Sequence, residues 1–278
     1  MTPRTGWRLS PKALLPGLVC VAALALWEAY VRMGHVPPYI LPAPSLIATT
    51  LLADRALLAA SLLVTLQTTL LGLLLAIVGG VGLAVVLSLS RSIEYSVYPF
   101  AVALQVTPVV AVAPLLLIYL PQDIAVLACA WVVAFFPVLS NTMLGLQSVD
   151  RNLLELFDLY GRPRGGHPSF SARLRADTKA LWYLRGPAAL PSFLAGLKIA
   201  GGLALIGAVV AEMAAGSAGA SSGLAYRIIE SQYRLNIPRL FAALVLLAGT
   251  GIAIFLLIAA LSHWLLRHWH VSALRPER

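Results

Sequence analysis

The sequence predicts an all-α integral membrane protein with six membrane-spanning helices and both termini in the cytoplasm. Hydrophobic residues make up 60% of the 278 and charged residues 11%, with a mean hydropathy of +0.87, whereas a soluble domain carries about 25% charge. The apolar residues fall into runs of about 20 or more, the length that crosses the hydrocarbon core as a helix with every backbone group satisfied. The lysines and arginines fall unevenly between those runs, which sets the orientation.

The predicted spans are Ala13–Arg32, Leu58–Leu89, Ser96–Tyr119, Gln122–Leu146, Ala189–Ala215 and Leu240–Leu266, with ends good to ~2 to 4 residues. The first, with a basic start, has the outline of a signal peptide. Its apolar run continues to Val31 without a small-x-small cleavage site, so an uncleaved span is expected. The second exceeds one crossing and is expected to tilt or to begin with an interfacial turn. With the N-terminus inside, cytoplasmic cations outnumber external ones by roughly three to one. The chain then divides into a tail at 1–12, a membrane domain at 13–266 with a cytoplasmic segment at about 150–188, and a tail at 267–278.

Of the external loops, "GHVPPYILPAPSLI" is proline-rich and expected to run extended. The other, "AGSAGASSGLAYRIIESQYRLNIPRL", begins with small flexible residues and then shows the pattern of a short amphipathic helix. The net charge of +9 sits between apolar runs and not on a soluble face, so nucleic acid is excluded as a partner and the bilayer is favoured. Cys20 and Cys129 lie within apolar runs as small hydrophobes.

Few residues offer chemistry. "GSAGASSG" lacks the Gly-Lys-Ser/Thr ending of a phosphate loop, and "GGVGLAVV" and "GGLALIGAVV" read as close helix contacts. The histidines of "SHWLLRHWH" have no carboxylate or cysteine beside them for a metal, and read with the tryptophans as an interfacial anchor. Ser140 and Ser262 show no base or oxyanion partner, so no catalytic residue, cofactor or metal is assigned to the chain. Glu212 stands apart as an acid inside the fifth span, preceded at four-residue steps by Gly196, Ala200, Ala204 and Ala208. Such a residue faces the protein interior or a wet path, and capping of the external loop and a role in translocation are both open to it. Lys198, about 21 Å away along the helix, is too distant to pair with it. Glu28, near the end of the first span, is read as interfacial. Gln67, Thr68, Gln105, Thr107, Asn141 and Thr142 are candidates to line a pathway, with helix–helix hydrogen bonding as the competing use. Pro108, Pro114 and Pro137 are expected to kink their spans.

After the fourth span, "SVDRNLLELFDLYG" predicts a cytoplasmic helix ending at Gly161, followed by a basic insert and a second stretch broken at Pro187. Here the chain resembles the permease subunits of binding-protein-dependent ABC importers. Their cytoplasmic signature runs Glu-Ala-Ala, three residues, Gly, nine residues, Ile-x-Leu-Pro. Glu155 takes the glutamate place, Leu156 and Phe157 the alanines, Gly161 the glycine, and Leu184, Gly186 and Pro187 belong to the closing "LRGP". "YILPAPSLIATTLL", "TPVVAVAPLLLIYLP", "GLKIAGGLALIGAVVAE" and "GASSGLAYRI" are similar to the group that imports nitrate, taurine and alkanesulfonates. The resemblance implies the type I importer permease fold and a cytoplasmic segment docked on a separate ATPase. That ATPase would bind ATP and magnesium. The implied partners are two ATPase subunits, a solute-binding protein and a second permease copy, and the implied cargo is a small anion or zwitterion.

The departure is the spacing. Twenty-two residues, Arg162 to Tyr183, stand where the pattern has nine. The surplus reads as a tolerated surface loop, as a segment that alters docking, or as an irregularity of the gene; its cations also suit anionic headgroups. An ion-gradient-driven transporter is the alternative, and it lacks a second intramembrane ionisable group and an inverted repeat.

Overall fold

The computed structural model describes residues 11–161, 178–216 and 222–267, without the side chains of 11–14, 151, 158, 160 and 161. The described chain is helical, in the order α1 (Pro11–Met33), α2 (Pro44–Ala53), α3 (Arg55–Leu89), α4 (Arg91–Val106), α5 (Val109–Tyr119), α6 (Gln122–Gln147), α7 (Arg151–Gly161), α8 (Gly186–Ala215), α9 (Leu224–Tyr233) and α10 (Ile237–Leu266). Five helices are long and apolar enough to span a bilayer, and a sixth span is made if α4 and α5 count as one.

In that pair the kink expected at Pro108 is a sharp bend, α4 and α5 standing at 97° across the break. Thr107 and Pro108 sit in the break in extended conformation. Proline lacks the N–H that would continue the ladder and keeps the preceding residue out of helix. Pro114 and Pro137 lie inside α5 and α6, which continue through them. The proline-rich segment, expected to run extended, is folded into turns instead, with the Ile40 N–H bonded to the Pro37 carbonyl at 2.9 Å. Pro44 then opens α2, where its missing N–H costs nothing.

Helix α6 is the centre, packed along α8 on one side and α3 on the other. Small residues let the backbones approach. A Cβ added at Gly207 would stand 2.7 Å from the carbonyl oxygen of Cys129, and one at Gly80 would stand 2.9 Å from the side chain of Val138. In lipid, where burying apolar surface between helices gains little, such packing holds a bundle together. Gly207→Val should therefore cost about 1–3 kcal/mol by overpacking. It is expected to lower the melting temperature in detergent, whereas Gly202→Val, with nothing within 4 Å of the added carbon, should leave it unchanged.

Helix α1 is mostly exposed. It is tied to the rest by Trp27 against Phe241, ring centroids 5.8 Å apart, and by Glu28, which accepts hydrogen bonds from the backbone N–H and hydroxyl of Ser45 at 3.0 and 2.7 Å. Glu28 thus caps the first turn of α2, whose own N-cap residue, Ala43, supplies no side-chain bond. Cys129 is buried as expected and Cys20 is exposed on α1.

The stretch expected to break at Pro187 does not break. Residues 178–215 form one continuous helix whose segment Leu181–Arg185 is a π-turn. The Gly186 N–H bonds the Leu181 carbonyl, and this wider register absorbs the residue that cannot donate. Residues 162–177 of the basic insert, 217–221 of the glycine-serine loop, and His268 and His270 lie outside the described residues.

Candidate translocation and coupling sites

Two ends of α6 carry the polar features. At its start, α3, α6, α8 and α9 enclose a cavity of about 510 Å³, lined among others by Gln67, Thr68, Gln122, Asp123, Glu212 and Tyr226. At its finish, α6 meets α7, the π-turn and the α3–α4 junction around a smaller polar recess.

The first end is organised by Glu212, which is 6% exposed. Its carboxylate accepts from the Thr65 hydroxyl at 2.8 Å and from the Ala225 N–H at 3.1 Å. Thr65 Oγ1 in turn accepts from the Leu224 N–H at 2.9 Å. These two amides open α9, whose N-cap is Gly223 and has no side chain to offer. The cap comes instead from two distant helices: a carboxylate on α8 and a hydroxyl on α3 satisfy the orphan donors and meet the positive end of the helix dipole. A Cβ at Gly223 would overlap the Glu212 carboxylate, so glycine is required for this approach. Helix α8 ends about one turn later at Gly216, where φ is +57° and the Gly216 N–H bonds the Glu212 carbonyl.

Further ties hold α9 and α10 to α2 and α3. Arg227 donates to Ser61 Oγ at 2.9 Å and pairs with Glu230 at 2.8 Å. Arg239 pairs with Asp54 at 2.6 Å. Ser61 and Thr65, with Thr69, form a buried hydroxyl stripe at four-residue spacing along α3. Sequence reasoning singled out Gln67 and Thr68 on this helix and missed Ser61 and Thr65. The four-residue recurrence of hydroxyls on one face of an apolar span was the signal that could have found them.

The other pathway candidates are not brought together. Gln67, Thr68 and Glu212 share the cavity. Gln105, Thr107 and Pro108 are exposed at the α4–α5 bend, with the Thr107 hydroxyl bonded to the Ala103 carbonyl. Asn141 donates to the Pro137 carbonyl and Thr142 to the Val138 carbonyl, both within α6. Thr142 lines a separate apolar groove of about 780 Å³ together with Gly186 and Pro187.

At the second end, α7 is amphipathic. Leu154 and Phe157 are half-buried, while Leu153, Leu156 and Leu159 are 50%, 50% and 76% exposed, with Glu155 also in the open. Leu184 is half-buried in the π-turn and Gly186 is exposed; Gly161 is the last residue of α7. The recess beside α7 contains Arg91, Glu94, Gln147 and Arg185. Gln147 donates to Glu94 at 3.0 Å, and Arg185 reaches the Ser88 carbonyl near the end of α3 at 3.4 Å. The segment after α6 is thus in contact with the hinge between α3 and α4. Among the described residues no group of three or more His, Cys, Asp or Glu is placed to hold a metal ion.

An exposed apolar stripe on a helix between two spans, with a return helix leading back into the bundle, is what the importer resemblance requires. Residues 68–166 and 172–269 match the family model described as binding-protein-dependent transport system inner membrane component. The chain belongs to that family. As an ABC importer permease it is similar along nearly its whole length to curated relatives. A formylaminopyrimidine transport permease of Halalkalibacterium halodurans is 35% identical over 92% of this chain and 96% of its own. A riboflavin transport system permease of Chloroflexus aurantiacus is 32% identical over 90% and 87%. The taurine transport system permease of Escherichia coli is 23% identical over 95% and 92%. The permease is a multi-pass protein of the inner membrane and a transport subunit, not an enzyme, and family membership displaces the ion-gradient alternative. The two matched stretches part at residues 167–171, inside the basic insert that the spacing singled out.

Proposed function

We propose that two copies of this permease form the solute pathway and that a separate pair of ATPase subunits, holding ATP and magnesium, grips α7 of each copy. Six spans, with α4 and α5 forming the third, put both tails and α7 in the cytoplasm and put α9 and the Glu212 cavity on the outside, where a solute-binding protein delivers cargo. The excess of cations at the α7 end supports this orientation. ATP closes the ATPase pair, α7 moves, and the α3–α4 hinge beside the recess moves with it. Nucleotide drives the change because it binds one arrangement of the assembly more tightly than the other. The relatives' cargoes, a formylaminopyrimidine, riboflavin and taurine, differ in charge and shape, so the cargo class is a small solute.

The observation that carries the reading is the exposed stripe of Leu153, Leu156 and Leu159 on a helix wedged between two spans. Within it, Glu155, Leu156, Phe157 and Gly161 form the docking helix, and Leu184, Gly186 and Pro187 the return. The test is co-reconstitution of the permease with its ATPase and binding protein in vesicles. Uptake should require ATP and ignore an imposed proton or sodium gradient. Glu155→Arg should lower it several-fold without changing membrane insertion. Uptake that follows the ion gradient and ignores ATP would overturn the proposal.

A further inference from the structure

The cavity at the start of α6 has a lining whose chemistry selects among solutes. Its volume, about 510 Å³, lies in the range of sites for small molecules. Val126, Leu127 and Leu71 supply apolar wall, and Tyr226 lies along one side. Among the described residues, the Gln67 and Gln122 amides and the Asp123 carboxylate form no hydrogen bond or ion pair with the protein, so their donors and acceptors are free for a guest. Each amide presents two N–H donors and one carbonyl acceptor.

The charge in this cavity is of one sign. Asp123 and Glu212 are acids, and among the described residues no lysine, arginine or histidine lines the space. Arg227, whose guanidinium lies 5.5 Å from the centroid of the Tyr226 ring, is bonded to Ser61 and Glu230. A sulfonate or nitrate entering here would meet the Asp123 carboxylate, with no lysine, arginine or histidine among the described lining residues to offset it. A flat ring bearing amino groups and ring nitrogens would meet amides and a carboxylate at its edges and apolar or aromatic walls on its faces.

We propose that this cavity is the external solute vestibule of the permease, and that it admits neutral or cationic, hydrogen-bonding heteroaromatic rings and rejects anions. The proposal rests on the reading of the bundle as an importer pathway and departs from the anionic cargo expected from the sequence. Gln67, Gln122 and Asp123 are its specificity-determining residues. Glu212 is engaged in capping α9 through Thr65 and Ala225 and is not counted among them.

The test uses the full-length permease assembled with its ATPase in lipid nanodiscs and saturation-transfer NMR with 4-aminopyrimidine, methanesulfonate and taurine as probes. 4-Aminopyrimidine should show saturation about tenfold above methanesulfonate, with taurine also weak. Asp123→Arg reverses the field at an exposed position, and it should cut the aminopyrimidine signal and raise that of methanesulfonate by similar factors. Gln67→Trp, which fills the cavity from an exposed position on α3, should abolish both. Equal saturation by methanesulfonate in the unaltered protein, or an aminopyrimidine signal that survives both substitutions, overturns the proposal. If the nanodisc complex hydrolyses ATP while aminopyrimidine fails to bind, the vestibule falls and the importer reading stands. If the chain assembles with no ATPase, it is the importer reading that falls. Melting curves of each variant confirm that a lost signal is not a lost fold, and Asp123→Asn, which changes charge alone, decides the matter should Asp123→Arg not fold.

Discussion

Glu212→Ala should lower the melting temperature of the permease by on the order of 10 °C and strip most of its uptake. The substitution removes the acceptor of the Thr65 hydroxyl and the Ala225 N–H, both in fully buried surroundings. Each buried donor left without a partner costs about 1–3 kcal/mol. The cavity left behind adds to the loss. A total of roughly 3–5 kcal/mol corresponds to a shift of the stated size in a chain of this length. Glu212→Gln keeps the volume and one accepting oxygen, but sets an NH₂ against a donor. It should fall between the two. The partner is identified by a double-mutant cycle: Thr65→Val should cost far less in the Glu212→Ala background than in the parent. Additive losses, or a Glu212→Ala protein that melts within about a degree of the parent, would show that the start of α9 is held by something other than this carboxylate.

The comparison with the sequence turns on what kind of information each feature needs. The spans are legible because the bilayer imposes a length and a hydropathy that no neighbour can alter; α6 and α10 lie within a few residues of the expected limits. The helix after the fourth span and the short amphipathic α9 are local patterns too, and both are present. The bend at Thr107–Pro108 was visible as a kink, but not as a right-angle turn, because the angle is set by what α5 packs against on α8. The π-turn before Gly186 was not legible. A proline in the first turn of a helix and a proline that breaks one look alike until the hydrogen bonds of residues 181–185 are known. Glu212 could be picked out by its chemistry, yet its role depended on Thr65, a residue 147 positions away in sequence, and on the first amides of α9, which the fold brings beside the pair.

Leu156→Asp should reduce ATP-driven uptake by more than tenfold while leaving expression, insertion and melting unchanged. Leu156 is half-exposed on α7 and has no structural burden that a carboxylate would upset. In the assembled importer its side chain would be covered by the ATPase. Burying a leucine contributes about 1.5–3 kcal/mol, and an aspartate in the same place forfeits that gain and adds the cost of desolvating a charge. A loss of 1.4 kcal/mol is already a factor of ten in association. Glu155→Arg tests charge on the rim of the same surface and should act more weakly, as rim charges do. Leu154, turned toward the recess beside Arg185 and Gln147, provides the contrast: Leu154→Asp should lower the melting temperature as well as uptake, since it faces the bundle. The measurement is a paired one, ATP-dependent uptake and co-purification of the ATPase with each variant. If Leu156→Asp retains the ATPase and transports normally, the exposed face of α7 is not where the motor holds the permease. The basic insert then becomes the segment to examine, by trimming residues 162–177 and repeating both assays.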